Sequence, residues 1–125
     1  MPKRPRRPPP PVRDPFVLFV LEQLEPLPVS ARAMFGGHGI YAGSIIFGII
    51  DERRLYFKVD DAIRGRHEER GMGPFHPTPS MTSKNYFEVP EALLERPAEL
   101  RAWAEASIEC ARRSAASRGQ RRSKR

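Results

Sequence analysis

Apolar residues recur along this chain with two different periods. From Met34 to Val59 (MFGGHGIYAGSIIFGIIDERRLYFKV) they alternate. Ile45, Phe47 and Ile49 fall on one face of an extended chain, with Ile46 and Ile50 on the other, and Leu55, Phe57 and Val59 repeat the alternation against Tyr56 and Lys58. Glycines 36, 37, 39 and 43 and the charged run Asp51-Glu52-Arg53-Arg54 interrupt the pattern, which predicts a three-stranded antiparallel meander. Arg32 to Phe35 reads as a first strand entering it, and Gly36-Gly37-His38-Gly39 as a tight turn or bulge with His38 on the loop.

Helical spacing frames this block. Asp14-Pro15 reads as an N-cap followed by proline at the first helical position, and Phe16, Val17, Val20, Leu21 and Leu24 follow at helical intervals until Pro26 and Pro28. Asp60-Asp61 caps a short helix over 62–70 that Gly71 stops, and Gly65 makes that helix dependent on docking. Phe75, among prolines and glycines, marks a brief edge strand within 72–79, and Asn85 to Val89 alternates as the last strand. Pro97 opens the longest helix, with Leu100, Trp103, Ala104, Ser107, Ile108, Ala111 and Ala115 forming one stripe. The elements give an α+β chain in the order α-β-β-β-α-β-β-α, with an antiparallel sheet of about five strands.

Charge divides the chain in three. The formal charge of +7 comes from the ends: five bases and no acid in residues 1–13, seven bases and no acid in 112–125. Between Asp14 and Ala111 lie all 15 acids and the other 10 bases, a net of −5. We therefore expect a basic, Pro-rich arm at 1–13, one folded acidic domain at 14–112, and a basic disordered tail at 113–125. Any attraction to nucleic acid is expected from Arg4, Arg6, Arg7, Arg121, Arg122 and Arg125. The single Cys110 cannot form an internal disulfide, and the apolar run Phe16 to Leu21 is too short for a signal peptide or a membrane span. These features predict a cytoplasmic protein with no membrane contact.

Catalytic chemistry finds little footing. His38, His67 and His76 have no second ligand at strand or helix spacing, so no metal and no cofactor is expected. Gly37 to Ala42 fits the G-x-G-x-x-A dinucleotide fingerprint, but it leads into a strand rather than a helix, which excludes that reading. Cys110 reads as a half-covered, inert thiol, and Asp60-Asp61 as a cap rather than a catalytic pair. Tyr41, Tyr56 and Tyr86 suggest a base-stacking platform, which the acidic domain and helices over a sheet face weigh against.

Four phrases carry a family resemblance: Met34 to Tyr41, Arg54 to Asp61, Gly71 followed by Pro74-Phe75, and Tyr86 to Pro90, together with Leu100 and Trp103-Ala104. In this order and spacing they resemble the N-terminal domain of the TfoX/Sxy family, bacterial regulators of competence for DNA uptake. The resemblance covers about residues 16–112 and implies a two-layer α+β fold that pairs into homodimers. It also implies a non-enzymatic regulatory role through protein contacts, with transcriptional machinery as the partner class and no catalytic residues to carry over. Gly36, Gly37, Gly39, Tyr41 and Trp103 then read as fold-determining. Two positions depart from the pattern: the turn at Asp51 to Arg54 has no glycine, and His67 stands where a larger apolar or aromatic residue is usual. The alternative is a nucleic-acid-binding protein working through its Arg-rich ends.

Overall fold

The computed structural model describes residues 11–123, with side chains to residue 118. Arg4, Arg6, Arg7 and Arg125, and the arm upstream of Pro11, lie outside the described residues. The elements are α1 (Pro15–Leu24), β1 (Val29–Met34), β2 (Gly37–Ala42), β3 (Ile45–Asp51), β4 (Arg54–Lys58), α2 (Arg64–Glu69), β5 (Pro74–Thr78), β6 (Met81–Glu88), a 3-10 turn (Glu91–Glu95) and α3 (Pro97–Ser123). The strands form one antiparallel sheet in the order β1-β2-β3-β4-β6-β5. The α+β class holds, with six strands instead of about five and four of them before α2. No helix among the described residues is long and apolar enough to cross a membrane.

Helix α1 begins as its sequence dictates. Asp14 Oδ1 accepts from the amides of Phe16 (2.8 Å) and Val17 (3.2 Å), satisfying donors that a helix start leaves orphaned. Its buried positions Val17, Val20 and Leu24 meet Leu100, Trp103, Ala104, Ile108 and Ala111 of α3 over Ile40, Phe47, Leu55 and Phe57 of the sheet. Both long helices therefore cover one face, giving two layers.

Two local readings change. A register shift pairs Ile40 with Gly48 and Tyr41 with Ile46, leaving Phe47 as an extra residue in β3. A bulge inverts the alternation beyond it. Ile45, Phe47 and Ile50 consequently belong to the core, while Ile49 turns to the other face. Gly37 and Gly39, expected in a turn, lie inside β2, and His38 stands on the strand opposite Ile50 and Ala33. A Cβ on Gly37 would collide with the Ile50 carbonyl oxygen, and one on Gly39 would meet Ile46 Cδ1 at 2.9 Å. The turn itself is Phe35-Gly36, both at positive φ.

The tail expected from residue 113 is also corrected as far as Ser123, because α3 continues through it. Arginine, alanine and glutamine are strong helix formers, Arg118 bonds Ser114 one turn back at 3.1 Å, and Arg113 is tied to Asp60. Arg121 and Arg122 thus sit on helical backbone. The sheet's outer strands differ: β5 carries Pro74 and Pro77, whereas β1 has no proline.

Candidate functional site

Three places gather chemistry-bearing side chains. The first is a groove of about 560 Å³ between the start of α1, the β3–β4 turn and the 3-10 turn, lined by Pro15, Phe16, Phe19, Arg53, Leu94 and Glu95 among others. Its rim is strained. Glu52 (φ 50°) and Arg53 (φ 61°) are both left-handed where glycine or asparagine is normal, a cost of about 1–2 kcal/mol each. The turn sets the Arg53 guanidinium 5.7 Å from the centre of the Phe16 ring. Along the groove and beside it α1 leaves Phe19 37% and Leu18 47% exposed.

The second is a cleft of about 410 Å³ at the end of β4, lined by Lys58, Asp60, Asp61, Arg64, Cys110 and Arg113 among others. Asp60 Oδ1 caps the turn into α2 through the amides of Ala62 (3.0 Å) and Ile63 (3.2 Å), while its Oδ2 takes a 2.8 Å bond from Arg113. The Arg113 bond, with those amides, holds the Asp60 carboxyl below the usual range. Burial pushes the Cys110 thiol up, and the Asp60 charge adds to it, so the sulfur stays protonated and unreactive at neutral pH. Asp60 caps, as expected, although α2 itself starts only at Arg64.

The third is the seat of α2. His67 is fully buried, its ring 4.8 Å from Trp103 and 6.2 Å from Phe87. Its Nδ1 lies 2.9 Å from the Glu88 carbonyl oxygen, which can only accept, so Nδ1 carries the proton and Nε2 is bare and unpartnered among the described residues. Burial lowers its pKa, and the neighbouring Arg66 charge adds to the effect. Arg66 bonds the Trp103 carbonyl at 3.2 Å and lies 4.4 Å over the same indole, and Arg70 stacks beside it at 5.5 Å. Trp103 is thus the pin that joins α2 to α3. His67 fills the apolar position of the family pattern by packing as a neutral ring.

His38, His67 and His76 remain apart, and no group of three His, Cys, Asp or Glu among the described residues could hold a metal. Among the described residues His76 bonds only its own hairpin, at Met81 O (3.2 Å) and Thr82 Oγ1 (3.1 Å). Tyr41 stands on the sheet face away from the helices, under Arg32. The strained turn and the burial of His67 were visible in sequence only as departures from a pattern.

The chain matches the family described as the TfoX N-terminal domain over residues 21–111. It is also similar to the DNA transformation protein TfoX1 of Aliivibrio fischeri (strain ATCC 700601 / ES114), 33% identical over 73 residues, which are 57% of this chain and 35% of that protein. The chain therefore spans about a third of the length of that relative.

Proposed function

Because the chain belongs to the TfoX N-terminal domain family, we propose that it is a non-enzymatic regulatory module of the cytoplasm that acts on competence for DNA transformation by contacting another protein, with transcriptional machinery as the partner class. The observation that carries this reading is the apolar surface α1 leaves uncovered: exposed Leu18, and Phe19 in the groove it lines with Phe16 and Leu94. Aromatic anchors next to a strained, charged rim are the ingredients of a contact surface. The same surface supports pairing into a homodimer. Restoring a deletion strain with the wild-type chain or with Phe19→Glu tests the role. The variant, folded by circular dichroism, is expected to lose competence-gene transcripts and transformation, and full rescue by it would count against the proposal. Light scattering at high micromolar concentration tests the dimer, which a monomer would exclude.

A second reading, nucleic-acid contact through the Arg-rich ends, is favoured by the continuation of α3, which carries exposed Arg112, Arg113 and Arg118 along the helix. It predicts that trimming residues 1–13 and 113–125 abolishes binding.

A further inference from the structure

Among the described residues no helix covers the sheet face opposite α1 and α3. Residues paired across neighbouring strands share a face, which places Tyr41 with Ile46, Ile49 with Tyr56, and Lys58 with Tyr86 on that side. The contact a Cβ on Gly39 would make with both Ile46 and Tyr41 agrees. The face divides into two unlike halves. Toward Asp51, Tyr56 packs 4.9 Å from Phe75 of the β5 edge, Ile49 and Tyr56 are buried, and Glu88 pairs with Arg54 at 3.6 Å.

The other half is built differently. Half-buried Tyr41 carries the Arg32 guanidinium 5.4 Å from its ring centre, and half-buried Tyr86 carries Lys58 Nζ at 5.3 Å. Three strand spacings, about 14 Å, separate the strand positions of the two tyrosines. Exposed Lys84 stands two residues before Tyr86, and the six strands bring no carboxylate to this half. The same end receives α3: Arg113 shares a cleft with Lys58 and Asn85. The acids nearby are occupied, Asp60 by Arg113 and Asp61 by Arg64 at 2.7 Å. A body of net −5 therefore presents one locally cationic, aromatic half-face.

We propose that this half-face binds single-stranded nucleic acid, with bases stacking on Tyr41 and Tyr86 and phosphates met by Arg32 and Lys58. Two π-faces matched to cations suit unpaired bases on a phosphodiester, whereas a duplex keeps its bases stacked away from such rings. A protein partner is a poorer fit, since Ile46 is the only large aliphatic side chain between the two rings. Exposed Arg32 can remain as a third layer over a base or swing to a phosphate. The proposal is independent of the protein-contact surface, which lies with α1 in the other layer.

The test is fluorescence anisotropy of the full chain with labelled oligothymidylate and oligouridylate of about twelve nucleotides, against a duplex of equal length and with polyphosphate as competitor. At about 50 mM salt both single strands are expected to bind more tightly than the duplex and to resist polyphosphate, with affinity falling as salt rises. Tyr41→Leu and Tyr86→Leu should each weaken binding by about tenfold, whereas Tyr41→Phe should keep it. Where a leucine variant fails to fold by Trp103 fluorescence, Lys58→Gln and Arg32→Gln replace it, each lowering the salt slope by about 0.7. Binding of one sugar type alone would place the site among DNA- or RNA-selective stackers and supports the proposal. No binding at low salt, equal affinity for duplex, or leucine variants that fold and bind as the wild type would overturn it. Loss of binding only on trimming the ends would transfer the activity to the arginine tails and equally overturn it.

Discussion

Lowering the pH from 7.5 to 5 should destabilise the fold through His67. The folded state holds the ring neutral, with Nδ1 donating to the Glu88 carbonyl, Nε2 facing no acceptor, and Arg66, Trp103 and Phe87 around it. Its folded pKa is thereby depressed below the ordinary 6.5. The sign follows from linkage: above about pH 6.5 both states are neutral and the contribution is constant. As the pH falls below that value the unfolded chain takes up a proton that the folded chain refuses. Stability then declines by up to about 1.4 kcal/mol per pH unit until the folded pKa is reached. From neutrality to pH 5 the loss from this one group is at most about 2 kcal/mol, or about 10 °C in Tm for a domain of this size. Trp103 is the only tryptophan and lies against the ring, so its fluorescence in urea titrations at several pH values reads the effect directly. His67→Leu removes the titrating group and should flatten the profile between pH 6.5 and 5, at a pH-independent cost of about 1–3 kcal/mol because the Glu88 carbonyl loses its donor. An equally steep profile in that variant would refute the reasoning.

Three further outcomes follow from the backbone and the core. Arg53→Gly should stabilise the fold by about 1 kcal/mol, because glycine takes positive φ without strain, and thermal melts would read it. A neutral or negative result there would mean that the Arg53–Phe16 contact outweighs the strain. Asp14→Ala should cost about 1 kcal/mol by leaving the Phe16 and Val17 amides unpaired, with Asp14→Asn retaining most of it in urea midpoints. Phe47→Ala, emptying a fully buried site beside Phe57, should cost about 3–5 kcal/mol, enough for calorimetry to show a collapsed transition.

Much of the architecture could be read from residue order. Asp14-Pro15, the Val17, Val20 and Leu24 stripe, Pro97 and the Leu100 to Ala111 stripe are single-purpose signals, and each element formed where they stand. What misled was residue types with two uses. Glycine serves both turns and close approaches, so the sequence suggests a turn at Gly37 and Gly39, which lie in a strand under tight contact. Strict alternation hides a bulge, because the extra residue at Phe47 is as apolar as its neighbours. The helix beyond Ala115 has no apolar stripe to announce it, and only its alanine and arginine content points to helix. Of the candidate site, the three tyrosines are legible in the sequence, while the separation of Tyr41 and Tyr86 from Tyr56 into unlike halves of one face needs the strand register that a sequence does not print.

The two borders of the sheet have unequal futures. Pro74 and Pro77 deny β5 the amide donors another strand would need, while β1 runs six residues without such a block. Strand addition is consequently open on one flank only. Two copies joined there back to back would exhaust both free flanks at once, so growth by this route halts at a pair and cannot run on into a fibre.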